Sequence, residues 1–239
     1  MDYLQGSDAA LLLKCSTASP AVVQGMQSIS LPGKERNVVD LNELRNDFAR
    51  QFAGGMKTTP ISIKANFLPG DTAGQRVLST YLDNKTVFTD GRIALNDETL
   101  YDFYGCDLAQ DPATNGNGWQ VTKYSPGEAS NDKMIEVDMT ITLGGKVALY
   151  TAHTTATMGV TKGTGSTKDT ITRAAGSFVT DGWLEGMSMF FEYLEVGSGA
   201  NAGAHYVVSA VAALTLTLTL VGSTTAISPA ASFTIHGGF

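Results

Sequence analysis

Residues 57–84, KTTPISIKANFLPGDTAGQRVLSTYLDN, hold a strand, a tight turn and a helix in succession, and their reading decides the fold. Ile61, Ile63, Ala65 and Phe67 alternate with Ser62, Lys64 and Asn66, the period of a sheet strand with one apolar and one wet face. Pro69-Gly70 then turns the chain. Thr72 and Gln75 have capping-box spacing, with Asp71 as a rival N-cap, ahead of Ala73, Val77, Leu78, Tyr81 and Leu82 on one helical face. The pattern predicts a helix over about 72–83 that packs its apolar stripe on a sheet.

Working outward, Ala9 to Cys15, Val22 to Leu31, Tyr101 to Leu108 and Trp119 to Tyr124 read as further strands. Met134 to Thr142 repeats the alternation: Ile135, Val137, Met139 and Ile141 point to a core, and Glu136, Asp138, Thr140 and Thr142 form an acidic and polar stripe. In the segment 37–55, Asp40 and Glu43 have capping-box spacing before Leu41, Leu44, Phe48 and Phe52, with Gly54 as a stop. Local rules give a short helix carried on an interaction arm whose apolar residues find burial on a neighbouring subunit. Residues 154–170 are rich in Thr, Gly, Ala and Ser and read as a linker. Beyond it the strands 170–173, 187–195, 206–211, 214–220 and 232–236 make a small all-β unit, with Leu214, Leu216, Leu218 and Leu220 alternating with threonines. The chain thus divides into a first domain over 1–155, a linker over 156–168 and a second domain over 169–239.

The composition bounds the function. With 23 acidic against 16 basic residues the net charge is -7, which opposes a surface that grips nucleic acid. The first 155 residues carry 18 acidic and 13 basic side chains and the remainder 5 and 3, so neither half is basic. Cys15 and Cys106 suit reduced, buried thiols. Asp2 and the lack of a basic n-region argue against a signal peptide, and no apolar run reaches the roughly 18 residues of a membrane helix.

Catalytic patterns are missing. His153, His205 and His236 have no companions at metal-ligand spacing, and no G-x-S-x-G, H-E-x-x-H or C-x-x-C occurs. Gly163 to Lys168 misses phosphate-loop spacing, and Gly197, Gly199 and Gly203 miss the dinucleotide fingerprint by one residue. The loop Asp111 to Gly118 misses the register of a calcium loop. Glu136 and Asp138, two apart on one strand with no third element, read as the wet side of a sheet. The expectation is a protein that is not an enzyme and needs no cofactor or metal.

Ser28-Ile-Ser-Leu-Pro-Gly33, Val38-Val-Asp-Leu41, Asp71-Thr-Ala-Gly-Gln75 and Tyr101-Asp-Phe-Tyr-Gly105, in that order and followed by a strand that ends in Gly144-Gly145-Lys146-Val147, resemble the major tail tube proteins of long-tailed, non-contractile bacteriophages. The resemblance covers about residues 6–150. It implies a mainly β fold, a β-sandwich or partly closed barrel flanked by one α-helix, assembled into hexameric rings that stack into a tube for DNA ejection. It further implies a virion-tail location after assembly in the host cytoplasm, with tape-measure, terminator and distal-tail proteins as partners and no membrane. On this reading Ser62, Lys64, Asn66, Glu136, Asp138 and Thr140 are candidates for the channel wall, where net negative charge lets DNA slide, and Lys64 calls for a neighbouring carboxylate. The arm residues Asp40, Leu41, Leu44, Phe48 and Phe52 become candidate contacts between rings. Residues 169–182, DTITRAAGSFVTDG, resemble the opening of a small β module appended to phage tail proteins, which implies a decoration domain on the tube exterior. Two other readings fit the same residues: a tail terminator or head-tail joining protein, and a two-module carbohydrate-binding protein.

Overall fold

The computed structural model describes residues 9–15, 20–41, 50–95, 102–106, 118–131, 133–145, 147–183, 190–196, 206–219 and 227–238. The first part of the chain forms β1 (Ala10–Leu13), β2 (Ala21–Val22), β3 (Met26–Ile29), β4 (Lys34–Leu41), β5 (Arg50–Thr58) and β6 (Ile61–Asn66). The helix α1 (Gln75–Asp83) follows, then β7 (Val87–Phe88), β8 (Arg92–Ala94), β9 (Phe103–Cys106), β10 (Gly118–Pro126), β11 (Glu136–Gly144) and β12 (Val147–Thr161). The last part supplies β13 (Thr170–Arg173), β14 (Phe190–Val196), β15 (Tyr206–Ala212), β16 (Thr215–Leu218) and β17 (Ile227–Gly238). The protein is mainly β, with one helix among the described residues.

Three antiparallel sheets organise these strands. One is five-stranded in the order β3-β6-β11-β10-β7, and β4 pairs with β5 in a hairpin of its own. The third runs β13-β16-β15-β14-β17-β12-β9-β8-β1-β2, and β13 also pairs with β12, so six of its strands close on themselves as a small barrel.

Alternation in the sequence becomes layering in space. Ile61, Ile63 and Ala65 of β6 and Val137, Met139 and Ile141 of β11 are buried in the first core, facing Leu11 and Leu13 of β1, Ile93 of β8 and Val147 of β12 across a sandwich. Trp119, Phe88 and the helical Leu78 close one side of it. The second core fills the barrel: Met158, Val160, Ile171, Phe178, Trp183, Leu216, Leu218, Phe233 and Ile235. A third, smaller cluster of Phe103, Ala148 and Tyr150, with Val207 against it, joins strands of the sandwich to the barrel. Both cysteines are buried thiols.

The turn into α1 is held by a side chain. Asp71 accepts hydrogen bonds from the backbone N–H groups of Gly74 (2.9 Å) and Gln75 (2.8 Å), and from Gln24 on the neighbouring turn (3.1 Å). Gln75, which the sequence offers as the far half of a capping box with Thr72, turns away: its Oε1 accepts from Leu68 N–H, and its Nε2 donates to the carbonyls of Gln24 and Asn66. Neither expected cap occupies the N-cap position, which falls to Gly74 without a side-chain cap; instead Asp71 anchors residues 72–74 as a turn ahead of the helix. At the other end Lys85, at φ 53°, closes a Schellman motif with Thr86 N–H on the Tyr81 carbonyl and Lys85 N–H on that of Leu82.

Three expectations are corrected. The strand read over 22–31 is broken by a turn at Gln24-Gly25, where Gly25 adopts φ 74°. The described parts of the 37–55 arm are strands, not helix: β4 and β5 satisfy their backbone groups across the hairpin, from Lys34↔Thr58 to Leu41↔Arg50. The linker expected at 156–168 is strand as far as Thr161, paired with β17 on one edge and β13 on the other. Its threonines are β-branched strand formers. Its small neighbours Ala152 and Gly237, in register with one another, lie under the buried ring of Trp183. Only 162–169 remains a loop, pinned by the buried Asp169 carboxylate, which accepts from Gly163 N–H at 2.8 Å.

Candidate functional site

The residues singled out as channel-wall candidates lie on one surface. Strands β6 and β11 pair antiparallel in the register Asn66↔Glu136, Lys64↔Asp138 and Ser62↔Thr140. The two polar stripes that sequence gives separately are thus directly opposed, residue for residue, on the face of the five-stranded sheet turned away from the core. Because the side-chain period is two, the burial of Ile61, Ile63, Val137 and Met139 is what forces these six outward.

Neighbouring strands extend the face. Beside β6, the irregularity between Met26 and Ser28 leaves Gln27 and Ser28 both exposed, and Gln27 Nε2 donates to Asn66 Oδ1 at 2.7 Å. Beside β11, a register shift between Val121 and Lys123 exposes Thr122 and Lys123 together. Lys123 Nζ thereby comes within 3.5 Å of Asp138 Oδ2, and Thr122 Oγ1 lies 3.2 Å from Thr142 Oγ1. The charge balance differs from the acidic lining expected from β11 alone. Asp138 stands between Lys64, opposite it in register, and Lys123, its ion-pair partner. With Glu136, this central patch carries two lysines and two carboxylates.

The arm is rooted beside this sheet. Thr59 N–H donates to the Gly33 carbonyl at 2.9 Å, Gly33 N–H to Thr59 Oγ1 at 2.7 Å, and Thr58 Oγ1 to the Gly145 carbonyl at 3.1 Å. Above the root, Glu35 and Lys57 pair at 3.3 Å, and Val38 is 61% exposed. Among the described residues β4 and β5 form a sheet with each other only. Asp40 and Leu41 belong to β4 and Phe52 to β5, whereas Leu44 and Phe48 lie outside the described residues. A cleft of about 300 Å³ at the root is lined by Pro32, Lys34, Thr58, Tyr104, Val147 and Leu149.

One constellation escapes local sequence rules. His153 on β12 and His236 on β17 are paired in register, with their Nδ1 atoms 2.9 Å apart. His153 Nε2 lies 3.3 Å from Asp102 Oδ1. Phe103 stacks on Tyr150 (centroids 4.8 Å), meets the His236 ring edge-on at 5.3 Å, and carries the Arg92 guanidinium 4.5 Å above its own centre. Burial pushes the His236 imidazole well below the ordinary histidine value, and Arg92 and His153 add to the shift. Burial also lowers His153, against the opposing hydrogen bond and charge of Asp102, with Arg92 adding a smaller push downward. The 83-residue separation of the two histidines hid this pair from spacing arguments.

No cluster of three or more His, Cys, Asp or Glu side chains able to hold a metal occurs among the described residues. Trp119 and Trp183 are both fully buried, so neither offers a stacking platform for a sugar ring. Among the described residues no helix is long and apolar enough to cross a membrane.

Compared with protein-family models and with curated proteins, the sequence finds no match. Among solved structures, the chain is similar to a protein in the virion of the native gene transfer agent particle, at 12% identity and a TM-score of 0.43 over 61% of this chain and 97% of that one. It is similar to a protein of the anti-feeding prophage baseplate at 10% identity and a TM-score of 0.45, over 62% of this chain and 95% of that one. It is also similar to the SPP1 Dit protein, described as a paradigm of the hub adsorption apparatus in phages of Gram-positive hosts, at 13% identity and a TM-score of 0.37, over 96% and 98% of the two chains.

Proposed function

We propose that this protein is a structural subunit of a phage-type tail tube, forming hexameric rings that stack around a DNA conduit. The observation that carries the reading is the five-stranded sheet: one face is sealed into the core, the other is polar throughout its centre, and β3 and β7 stand at its two edges. Edge strands with open backbone groups are templates for pairing with a neighbouring chain. Joined edge to edge, six such sheets enclose a polar-walled channel. Each lysine at the centre of that wall faces or contacts a carboxylate, so no isolated basic group there grips a passing phosphate, and the chain's net charge of -7 adds repulsion. The β4–β5 hairpin is the element that reaches the adjacent ring, and the C-terminal barrel sits on the tube exterior. Other tail proteins, among them tape measure, terminator and distal tail components, meet the tube at its lumen and ends, after assembly in the host cytoplasm. The role requires no turnover and no cofactor.

Negative-stain electron microscopy of the purified protein at raised concentration tests this. Stacked rings with a central channel are expected. Rings that never stack would redirect the assignment to a terminator or joining protein, and a persistent monomer would overturn it.

A further inference from the structure

The His153–His236 contact has a proton inventory that the geometry fixes. A carboxylate only accepts, so the His153 nitrogen facing Asp102 carries a proton. With His153 neutral, its Nδ1 is then a bare acceptor and His236 Nδ1–H donates to it across 2.9 Å. One added proton is accommodated, since the donor and acceptor roles exchange. A second proton is not: both Nδ1 atoms then carry hydrogens, aimed at one another, and two imidazolium charges share a buried site with the Arg92 guanidinium.

The position of the pair gives this chemistry a structural consequence. His236 lies near the end of β17, the strand that closes the barrel on β12, and His153 lies on β12 between its pairings with β9 and with β13. Among the described residues, the charged groups facing the pair are Asp102, just ahead of β9, and Arg92 on β8; on the far side of β17, β14 pairs backbone to backbone through Phe191↔Gly237 and Leu194↔Ile235.

We propose that His153 and His236 form an acid-sensitive latch that holds the end of β17 against β12 at neutral pH and releases it when both imidazoles are protonated. Both histidines are lowered in the folded state, so their contribution to holding the latch is full above the unfolded imidazole value of about 6.5 and is lost as pH falls below it. For one proton that the closed latch refuses and the open chain takes up near about 6.5, linkage sets a ceiling of about a 30-fold rise in the opening equilibrium between about pH 7.5 and pH 5.0.

Hydrogen exchange followed by mass spectrometry on the full chain, corrected for intrinsic exchange, reads this in peptides covering residues 150–156 and 232–238. Wild type is expected to show a rise in opening of up to about 30-fold between the two pH values, whereas His236→Asn, which keeps an amide at the Nδ1 position and does not titrate, holds the rise below about 3-fold. A flat wild-type response, or an undiminished rise in His236→Asn, overturns the latch. Should that variant fail to fold, imidazole ¹⁵N titration of wild type decides. The pair is expected to take up no more than one proton until the β17 amides lose protection, and an ordinary titration of both rings near about 6.5 without loss of protection refutes the proposal.

Discussion

Replacing Asp71 with alanine removes the acceptor of three hydrogen bonds at one stroke. Its carboxylate takes the N–H groups of Gly74 and Gln75 at the helix start and that of Gln24 from the turn between β2 and β3, at 2.8–3.1 Å, and the residue is 6% exposed. Its two bonds to the helix start do the work of an N-cap from one turn earlier, and loss of a cap costs about 1 kcal/mol, with a range up to about 2. The Gln24 N–H, partly buried and left without its acceptor, adds about 1–3 kcal/mol. The sum is about 2–4 kcal/mol, which lowers the urea midpoint by roughly 1 M for a slope near 3 kcal/mol/M. Asp71→Asn keeps one oxygen and turns an amide N–H₂ toward a donor, so it falls between wild type and Asp71→Ala. Urea unfolding followed by tryptophan fluorescence measures both, since Trp119 reports on the first core and Trp183 on the second. A loss below about 0.5 kcal/mol in Asp71→Ala would refute the assignment and mean that the Thr72–Gln75 capping box takes over at no cost.

Glu136→Lys with Asp138→Lys turns the patch of two lysines and two carboxylates into four lysines, while breaking only an exposed ion pair worth about 0–1 kcal/mol. The variant is expected to fold and assemble but to retain DNA at low salt and slow its ejection; unchanged ejection kinetics would count against a lumen location. Val38→Asp places a charge at a site that is 61% exposed, so stability should change by no more than about 1 kcal/mol while tube growth stops; full-length tubes by electron microscopy would remove the arm from the ring contact. Gly237→Ala brings a methyl to 2.6 Å from Trp183 Cζ3, and the overpacking should cost about 1–3 kcal/mol by thermal unfolding, with a shifted Trp183 emission; an unchanged melting temperature would contradict the packing described.

Much of the sandwich is legible in the sequence because its strands bury one face. Ile61-Ser-Ile-Lys-Ala-Asn66 and Glu136-Val-Asp-Met-Thr-Ile141 announce both their conformation and their wet sides through alternation. Their mutual register is not legible, since pairing across 70 or more residues leaves no local trace, and neither is the lysine that reaches Asp138 through the shift at Thr122. The arm misleads because Asp40, Glu43, Leu41, Leu44, Phe48 and Phe52 satisfy helical spacing while the described strands on either side find their hydrogen bonds across a hairpin. The stretch 154–161 misleads in the opposite sense: threonine and small residues look like a spacer until Trp183 and β17 are brought against them. The histidine pair belongs to the same class, a long-range contact between residues that read individually as unremarkable.

Strand β12 has a mechanical consequence. A flexible spacer between two modules would let the outer one swivel and would yield under load by straightening. Here a single extended backbone passes from the pairing with β9, beside the first core, into the wall of the barrel, bonded along β17 and β13. A pull on the barrel along that strand is resisted in shear by many ladder bonds at once, and torque reaches the sandwich undamped. The barrel is thus coupled stiffly to the sandwich, and its orientation in any assembly would be set by the sandwich that carries it.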